Sequence, residues 1–169
     1  MDHIKNLNEL IRQAARRHDT WQVFRDFIAM AAISLSNAVD HAQSDPREAE
    51  YMQIVGRYER SEIALFPQML GALTLALEDE PRDVLGRLFT DLELGNKWKG
   101  QFFTPDSVCR LMAAMSLGEE ASAIIEERGY IRAMEPAVGG GAMVIALAQE
   151  MLAQGINYQH HLHVTAVGR

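Results

Sequence analysis

The sequence predicts a mainly α-helical protein that closes with a parallel β-α-β unit. Through residues 1–94, apolar side chains recur at the 3.6-residue spacing of amphipathic helices. After them, two short apolar runs at 130–134 and 162–167 flank three consecutive glycines, Gly139 to Gly141, and an apolar stretch at 142–152. A strand, a glycine turn, a helix and a second strand form the first unit of a doubly wound sheet, in which the strands run parallel.

The first half of the chain should form a helical bundle, which we expect to be one domain spanning residues 1–94. The stretch 28–35 is apolar nearly all round, so we expect it at the centre of this bundle. Asp19 or Thr20 can cap the second helix, Asp45 can cap the third with Pro46 at its first position, and Pro67 should kink the fourth helix or end its first turn. The spacing predicts helices over 6–18, 21–39, 46–58, 61–77 and 83–92.

A loop bounded by glycines at 95–100 predicts the boundary with a second domain, residues 95–169. Thr104 can cap the helix that follows, with Pro105 at its first position. A further helix over 119–128 should end at Gly129 in the left-handed conformation. On one face of the helix after Pro105 the sequence has Val108, Leu111, Met112 and Met115.

Composition excludes several classes of protein. Of the 169 residues 48% are hydrophobic, which suffices for a packed core in one ordinary domain or two small ones. A net charge of −7 argues against the whole chain acting as a nucleic-acid-binding surface. The single cysteine, Cys109, excludes an intramolecular disulfide framework and suits a reducing compartment. The first residues carry no apolar signal-peptide core, and the apolar stretch 63–77 is shorter than the ~20 residues of a membrane span, so we expect a cytoplasmic protein without a membrane partner.

The glycine turn is the strongest candidate for a ligand site. Consecutive glycines allow positive φ and a close approach of the backbone to a ligand, and the helix that begins after them directs free N–H groups toward it. A nicotinamide-binding fingerprint is excluded, because Val144 stands where its last glycine is required. A P-loop is excluded because no Lys-Ser or Lys-Thr pair follows. A nucleotide-like cofactor of another kind remains compatible with this turn.

Two motifs carry a family resemblance. Gln101-Phe102-Phe103-Thr104-Pro105 is similar to the cofactor motif that precedes the catalytic domain of N6-adenine DNA methyltransferases, particularly type I modification subunits. Glu135-Pro136-Ala137-Val138-Gly139-Gly140-Gly141 resembles the S-adenosylmethionine loop of that family, usually written Asp-Pro-Ala-Cys-Gly-Ser-Gly. The resemblance spans residues 83–167. It differs from the family in the loop, where Glu135, Val138 and Gly140 replace Asp, Cys and Ser.

The resemblance implies the opening part of a Rossmann-like S-adenosylmethionine-dependent methyltransferase fold. In the family the segment that ends in Thr-Pro lies against the methionine half of the cofactor, and Glu135 would accept a hydrogen bond near the cofactor's amino group. The cofactor-binding residues implied by the resemblance are Phe102, Phe103, Thr104, Pro105, Glu135, Pro136, Ala137, Gly139 and Gly141.

No catalytic residue is assigned. The catalytic motif of the family, Asn-Pro-Pro-Tyr or Asn-Pro-Pro-Phe, does not occur in the 169 residues. The acidic residue that holds the cofactor ribose would fall at about Gly168. We therefore expect a truncated methyltransferase, either an excised fragment or the product of a truncated gene. It should bind S-adenosylmethionine weakly or not at all and should not methylate DNA by itself.

Two functions are consistent with these features. The first is the N-terminal portion of a restriction-modification DNA adenine methyltransferase, whose intact form would act on DNA with specificity or restriction subunits. The second is a helical protein–protein interaction module, residues 1–94, without an enzymatic role. The strand at 162–167 would expose an unpaired sheet edge, which makes a homo-oligomer plausible.

Other charged or metal-ligating groups favour structural roles. Three arginines on the first helix, Arg12, Arg16 and Arg17, are more consistent with a solvated face than with DNA contacts. Lys97, Trp98 and Lys99 are a weak signal for DNA binding. His160, His161 and His163 lack a cysteine partner and a nearby set of carboxylates, so no metal site is predicted.

Overall fold

The structure, a computed structural model, describes residues 2–78, 81–97, 104–118 and 120–168. Its helices and strands follow one another along the chain in this order: α1 (His3–Ala14), α2 (Thr20–Val39), α3 (Ser44–Val55), α4 (Arg60–Ile63), α5 (Phe66–Leu77), α6 (Val84–Asp91), a 3₁₀ turn (Leu94–Lys97), α7 (Asp106–Leu117), α8 (Ala121–Arg128), β1 (Ile131–Glu135), α9 (Ala142–Ala153), α10 (Tyr158–His161) and β2 (Leu162–Ala166).

The prediction of a mainly α-helical protein with two parallel strands is confirmed. β1 pairs with β2 in parallel, from Ile131 beside Leu162 to Glu135 beside Ala166. Within the described residues no strand precedes β1. β1 starts one residue later than the apolar run suggested, because Gly129 ends α8 at φ 82° and Tyr130 completes the turn.

The chain divides into two compact units. The first comprises Met1–Ala76 with Asp91–Leu94, and the second comprises Leu77–Thr90 with Gly95–Arg169. The domain division of residues 1–94 and 95–169 stays a prediction. No helix in the described part of the chain is both long and apolar enough to cross a bilayer.

The core of the first unit consists of the inward faces of the helices in that unit. α1 and α2 start at aspartates, and the predicted cap Asp19 accepts hydrogen bonds from the N–H groups of Trp21 and Gln22. The apolar stretch 28–35 is not buried throughout, because Leu35 is 63% exposed and none of residues 34–39 is buried. The expectation for that end of α2 was therefore wrong. The fully buried side chains of this core include Leu7, Ile11, Val23, Phe27 and Met69.

Two predicted helix caps were also wrong. α3 begins at Ser44 after the cap residue Gln43, so Asp45 lies inside the first turn. The cap residue of α7 is Pro105, and Thr104 precedes the helix without capping it. Pro46 is the third residue of α3 and Pro105 is the cap residue of α7, so neither proline occupies the first helical position predicted for it. Pro67 is the second residue of α5, as expected for a proline that follows a short first helix.

In the second unit α7 and α9 pack side by side. One buried cluster joins Cys109 and Ala113 of α7 to Ala146 of α9. A second cluster joins Leu117, at the end of α7, to Met151, near the end of α9. Early residues meet early residues and late ones meet late ones, so the two helices run in the same direction. Ile131 and Leu162, the first residues of the two strands, pack against the second cluster.

Four large apolar side chains of α7 face away from this interface. Met115 is 76% exposed, and the other three members of the predicted face are exposed as well. Small side chains at Cys109 and Ala113 face α9 instead, because they allow the two helices to approach closely. The exposed stripe consists of Val108, Leu111, Met112 and Met115.

Candidate functional site

The glycine turn is attached to the carboxyl ends of both strands. The N–H of Val167 donates to the carbonyl of Glu135 at 2.8 Å, and the N–H of Val138 donates to the carbonyl of Val167 at 3.0 Å. These two bonds continue the pairing of β1 and β2 into the turn. The turn therefore has a defined position at the edge of the sheet where parallel α/β folds bind their ligands.

Two of the three glycines adopt a backbone conformation that favours glycine. φ is 52° at Gly139 and 85° at Gly141. An added Cβ at Gly141 would meet no atom within 4 Å. Glycine is therefore favoured here by the backbone conformation and not by a lack of space for a side chain. The N–H of Gly141 donates to the carbonyl of Val138 at 2.8 Å and closes the turn. This bond fixes the path of the backbone into α9.

α9 begins at this turn without a side-chain cap. Gly141 is its cap residue, and the first helical bond of the ladder runs from the N–H of Ile145 to the carbonyl of Gly141, at 3.0 Å. The N–H groups of the first turn have no partner within the helix. Together with the helix dipole, they attract an anionic or acceptor group.

Glu135 has a structural role that the sequence did not indicate. Its Oε1 accepts a hydrogen bond from the N–H of Ala137 at 3.0 Å. Its Oε2 has no hydrogen-bond partner among the described residues, and the side chain is half-buried. One oxygen thus holds the turn while the other can accept a hydrogen bond from a ligand. Pro136 and Ala137 are exposed beside it.

The Thr104-Pro105 segment leads into the start of α7. The thiol of Cys109 donates to the carbonyl of Thr104 across 3.7 Å, and Cys109 belongs to the cluster that contains Ala142 and Met143 of α9. The start of α7 therefore lies beside the start of α9. Phe102 and Phe103 lie outside the described residues, and a shared pocket for segments 102–105 and 139–141 stays a prediction.

The surroundings of Cys109 are acidic. Burial raises the pKa of its thiol, and the charges of Asp106, Asp83 and Glu135 act in the same direction. The sequence alone did not indicate a role for Asp83 or Asp106. The sequence feature that could have identified them is their place at the start of a helix. The Oδ1 of Asp83 accepts the N–H of Gly86 at 2.7 Å, and Asp106 is the first residue of α7. Asp106 is also paired with Arg110, whose Nε lies 2.7 Å from its Oδ2, so the negative charge that favours a positively charged group of a ligand is that of Asp83 and Glu135.

Of the three arginines predicted on the first helix, only Arg12 lies in α1, and two of the three are engaged within the protein. Nη2 of Arg12 donates to the carbonyl of Asp91 at 3.0 Å, and Arg17 forms an ion pair with Glu59. Lys97 has no described side chain, and Trp98 and Lys99 lie outside the described residues.

Two of the histidines near β2 contact the residues that connect α8 to β1. Nδ1 of His161 lies 2.9 Å from the carbonyl oxygen of Gly129, and the rings of His163 and Tyr130 meet edge to face. Among the residues that the structure describes, no three His, Cys, Asp or Glu side chains converge as metal ligands do. Comparison of the chain with protein-family models, with curated proteins and with solved structures gave no match.

Proposed function

We propose that the second unit is the S-adenosylmethionine-binding part of a DNA adenine-N6 methyltransferase, built on the first β-α-β unit of a Rossmann-like fold. One observation carries the proposal: the turn with positive φ at Gly139 and Gly141 joins the carboxyl end of β1 to the uncapped start of α9. This is the arrangement in which α/β folds receive a nucleotide-like cofactor.

The groups around the turn match the polar half of this donor. S-adenosylmethionine carries a carboxylate, an ammonium and a sulfonium. The first-turn N–H groups of α9 suit the carboxylate, and the free Oε2 of Glu135 suits the ammonium. The negative charges of Asp83 and Glu135 favour the cationic sulfonium over the neutral thioether of the product.

The step on DNA belongs to the proposal for the intact enzyme. Such an enzyme would extrude an adenine from the duplex and transfer the methyl group to its N6 amine. Residues 104–168 supply candidate donor contacts at Thr104, Glu135 and Gly139 and nothing assigned to the adenine. We therefore propose donor binding for this chain. Methyl transfer, the contacts with DNA and the contacts with specificity or restriction subunits would require further groups.

Isothermal titration of the purified chain with S-adenosylmethionine tests the proposal. We expect saturable binding that weakens about tenfold in Glu135→Gln, because a neutral amide loses the charge-assisted bond to the ammonium. The product S-adenosylhomocysteine should bind more weakly than the donor. Glu127→Gln is the control: it removes one negative charge at an exposed position of α8, away from the turn, and should leave the affinity unchanged.

The outcomes separate the two functions. If neither compound binds saturably to a chain whose circular dichroism is helical, the proposal of donor binding by this chain is wrong, and the helical interaction module in residues 1–94 becomes the better hypothesis. Equal loss of affinity in Glu135→Gln and Glu127→Gln would show that binding follows net charge and does not use the turn.

A further inference from the structure

A polar groove lies in the first unit, far in sequence from the glycine turn. It runs between α2 and α3 and has a volume of about 740 Å³. Small-molecule sites typically enclose about 300–1,000 Å³. The groove has an apolar wall and a charged end, which is the combination that binds an organic ion. Its lining residues are Ala29, Pro46, Ala49 and Ile54 on the apolar side and Arg25, Asp26, Glu50, Gln53 and Arg57 on the polar side.

The charged end is built on a buried carboxylate. Asp26 is 2% exposed and is the buried charged residue of the described core. Nη1 of Arg57 donates to both of its oxygens, at 2.9 and 3.2 Å, and the hydroxyl of Tyr58 donates to its Oδ2 at 2.9 Å. These bonds satisfy the carboxylate, which would otherwise carry a large desolvation cost. They also hold the Arg57 guanidinium in one orientation at the groove.

A second arginine, Arg25, lies near the same carboxylate but does not contribute to its hydrogen bonds. Nη2 of Arg25 is 3.6 Å from Oδ1 of Asp26, which is an ion-pair separation and too long for a hydrogen bond. Among the described residues Arg25 has no other side-chain partner. Arg25 and Arg57 remain 59% and 41% exposed. Two guanidinium groups therefore face one carboxylate, and donors on both remain available to a ligand.

The opposite end of the groove carries the other sign of charge. Glu50 and Gln53 precede Arg57 by seven and four residues, which places them on the same side of α3 and its extension. At 1.5 Å per residue, Glu50 lies roughly 10 Å from Arg57 along the helix. A ligand with one anionic group would be attracted to the arginine end and would suffer repulsion if it extended a second anionic group toward Glu50.

We propose that this groove is a binding site for a small organic anion, whose carboxylate or phosphate bonds to Arg25 and Arg57 and whose apolar part lies against Ala29, Ala49 and Ile54. Guanidinium groups recognise both anions through paired N–H donors. In this arrangement Asp26 is a positioning residue that acts through Arg57. The site is independent of the proposed donor site, since all its residues belong to the first unit.

Titration of the ¹⁵N-labelled full chain with butyrate and, separately, with inorganic phosphate tests the proposal by NMR at constant ionic strength. Butyrate represents a carboxylate with an apolar stem, and phosphate represents a phosphorylated ligand. We expect at least one of them to cause saturable shifts at the Arg57 side-chain N–H and at the backbone amides of Ala29, Ala49 and Gln53. Sodium chloride at the same ionic strength should not cause them.

Matched substitutions then assign the binding to the groove. Arg25→Gln should weaken it about tenfold and should leave the fold intact, because the Arg25 side chain makes no hydrogen bond to the described residues. Glu50→Gln should strengthen it. Arg16→Gln and Glu48→Gln make the same changes of charge at exposed positions outside the groove and should have no effect. Absence of saturable groove shifts with both probes, or equal losses in Arg25→Gln and Arg16→Gln, would overturn the proposal.

Discussion

The Oε1 atom of Glu135 accepts a hydrogen bond from the backbone N–H of Ala137, 3.0 Å away. The carbonyl of the same glutamate accepts the N–H of Val167 at 2.8 Å. One residue therefore connects the end of β1, the glycine turn and the end of β2. The second oxygen, Oε2, has no hydrogen bond to the described residues and is a candidate ligand contact.

Gly141→Ala should destabilise the second unit. The residue has a φ of 85°, and an alanine in the left-handed region costs about 1–2 kcal/mol even though the space around it is open. Urea denaturation followed by circular dichroism would measure the loss. The same substitution at Gly71 is the control: this glycine lies inside α5 with no atom near an added Cβ, so alanine should stabilise by about 0.5–1 kcal/mol. Equal effects at the two positions would contradict the conformation described for the turn.

Tyr58→Phe should destabilise the first unit by about 1–3 kcal/mol, because it removes a donor from the buried Asp26. Burial, and then the hydrogen bond to Asp26, raise the pKa of the Tyr58 hydroxyl, so this donor keeps its proton throughout the physiological range. Chemical denaturation measures the change. Tyr51→Phe removes a hydroxyl that has no hydrogen bond among the described residues and should change stability by less than about 0.5 kcal/mol. A Tyr58→Phe protein as stable as the wild type would show that Arg57 alone satisfies Asp26.

Stability should fall in acid through Glu62. The N–H of Glu59, 2.8 Å from its Oε2, and then the ring of His18, 3.1 Å away, hold the pKa of Glu62 below its ordinary value of 4.5. A carboxylate with a lowered folded-state pKa stabilises the protein above its unfolded pKa, and this contribution is lost as the pH falls through the folded value. The wild type should exceed Glu62→Gln in stability at pH 6, and the difference should shrink below pH 4.5.

Urea midpoints measured from pH 3 to pH 6, a range of about one and a half units either side of the ordinary glutamate pKa, provide this comparison. Glu48→Gln, at an exposed position of α3, is the matched control and should not alter the slope. A difference between wild type and Glu62→Gln that stays constant over this range would contradict the bonds described for Glu62.

The thiol of Cys109 should react slowly with iodoacetamide in the folded protein. It is fully buried between α7 and α9, and burial raises its pKa, so little thiolate is accessible. Mass spectrometry would follow the reaction, which should become fast in denaturant. Leu117→Ala should increase the native rate, because loss of a buried leucine typically costs about 2–5 kcal/mol and opens this unit more often. Leu35→Ala, at an exposed leucine of the first unit, should not.

Local signals in the sequence predicted the elements that depend on a few adjacent residues. Asp19 caps α2, and Gly129 ends α8 with a positive φ, because side-chain capping and glycine conformation act within one turn. Short apolar runs on both sides of Gly139 and Gly141 were enough to predict two parallel strands and the turn between them. The candidate turn could thus be found from the sequence, because the backbone conformation of the turn favours glycine and the glycines are visible in the sequence.

Only the tertiary structure decided which faces are buried and which distant residues meet. Periodicity placed Val108 and Met115 on one face of α7, yet the close approach of α9 selects the face with Cys109, because interhelical distance depends on the size of both partners. Asp26 and Arg57 are 31 residues apart and meet because α2 and α3 fold back on each other. The helix propensities of the two segments do not specify that contact. A buried carboxylate needs a hydrogen-bonded partner, and the packing of the helices determines which arginine is that partner.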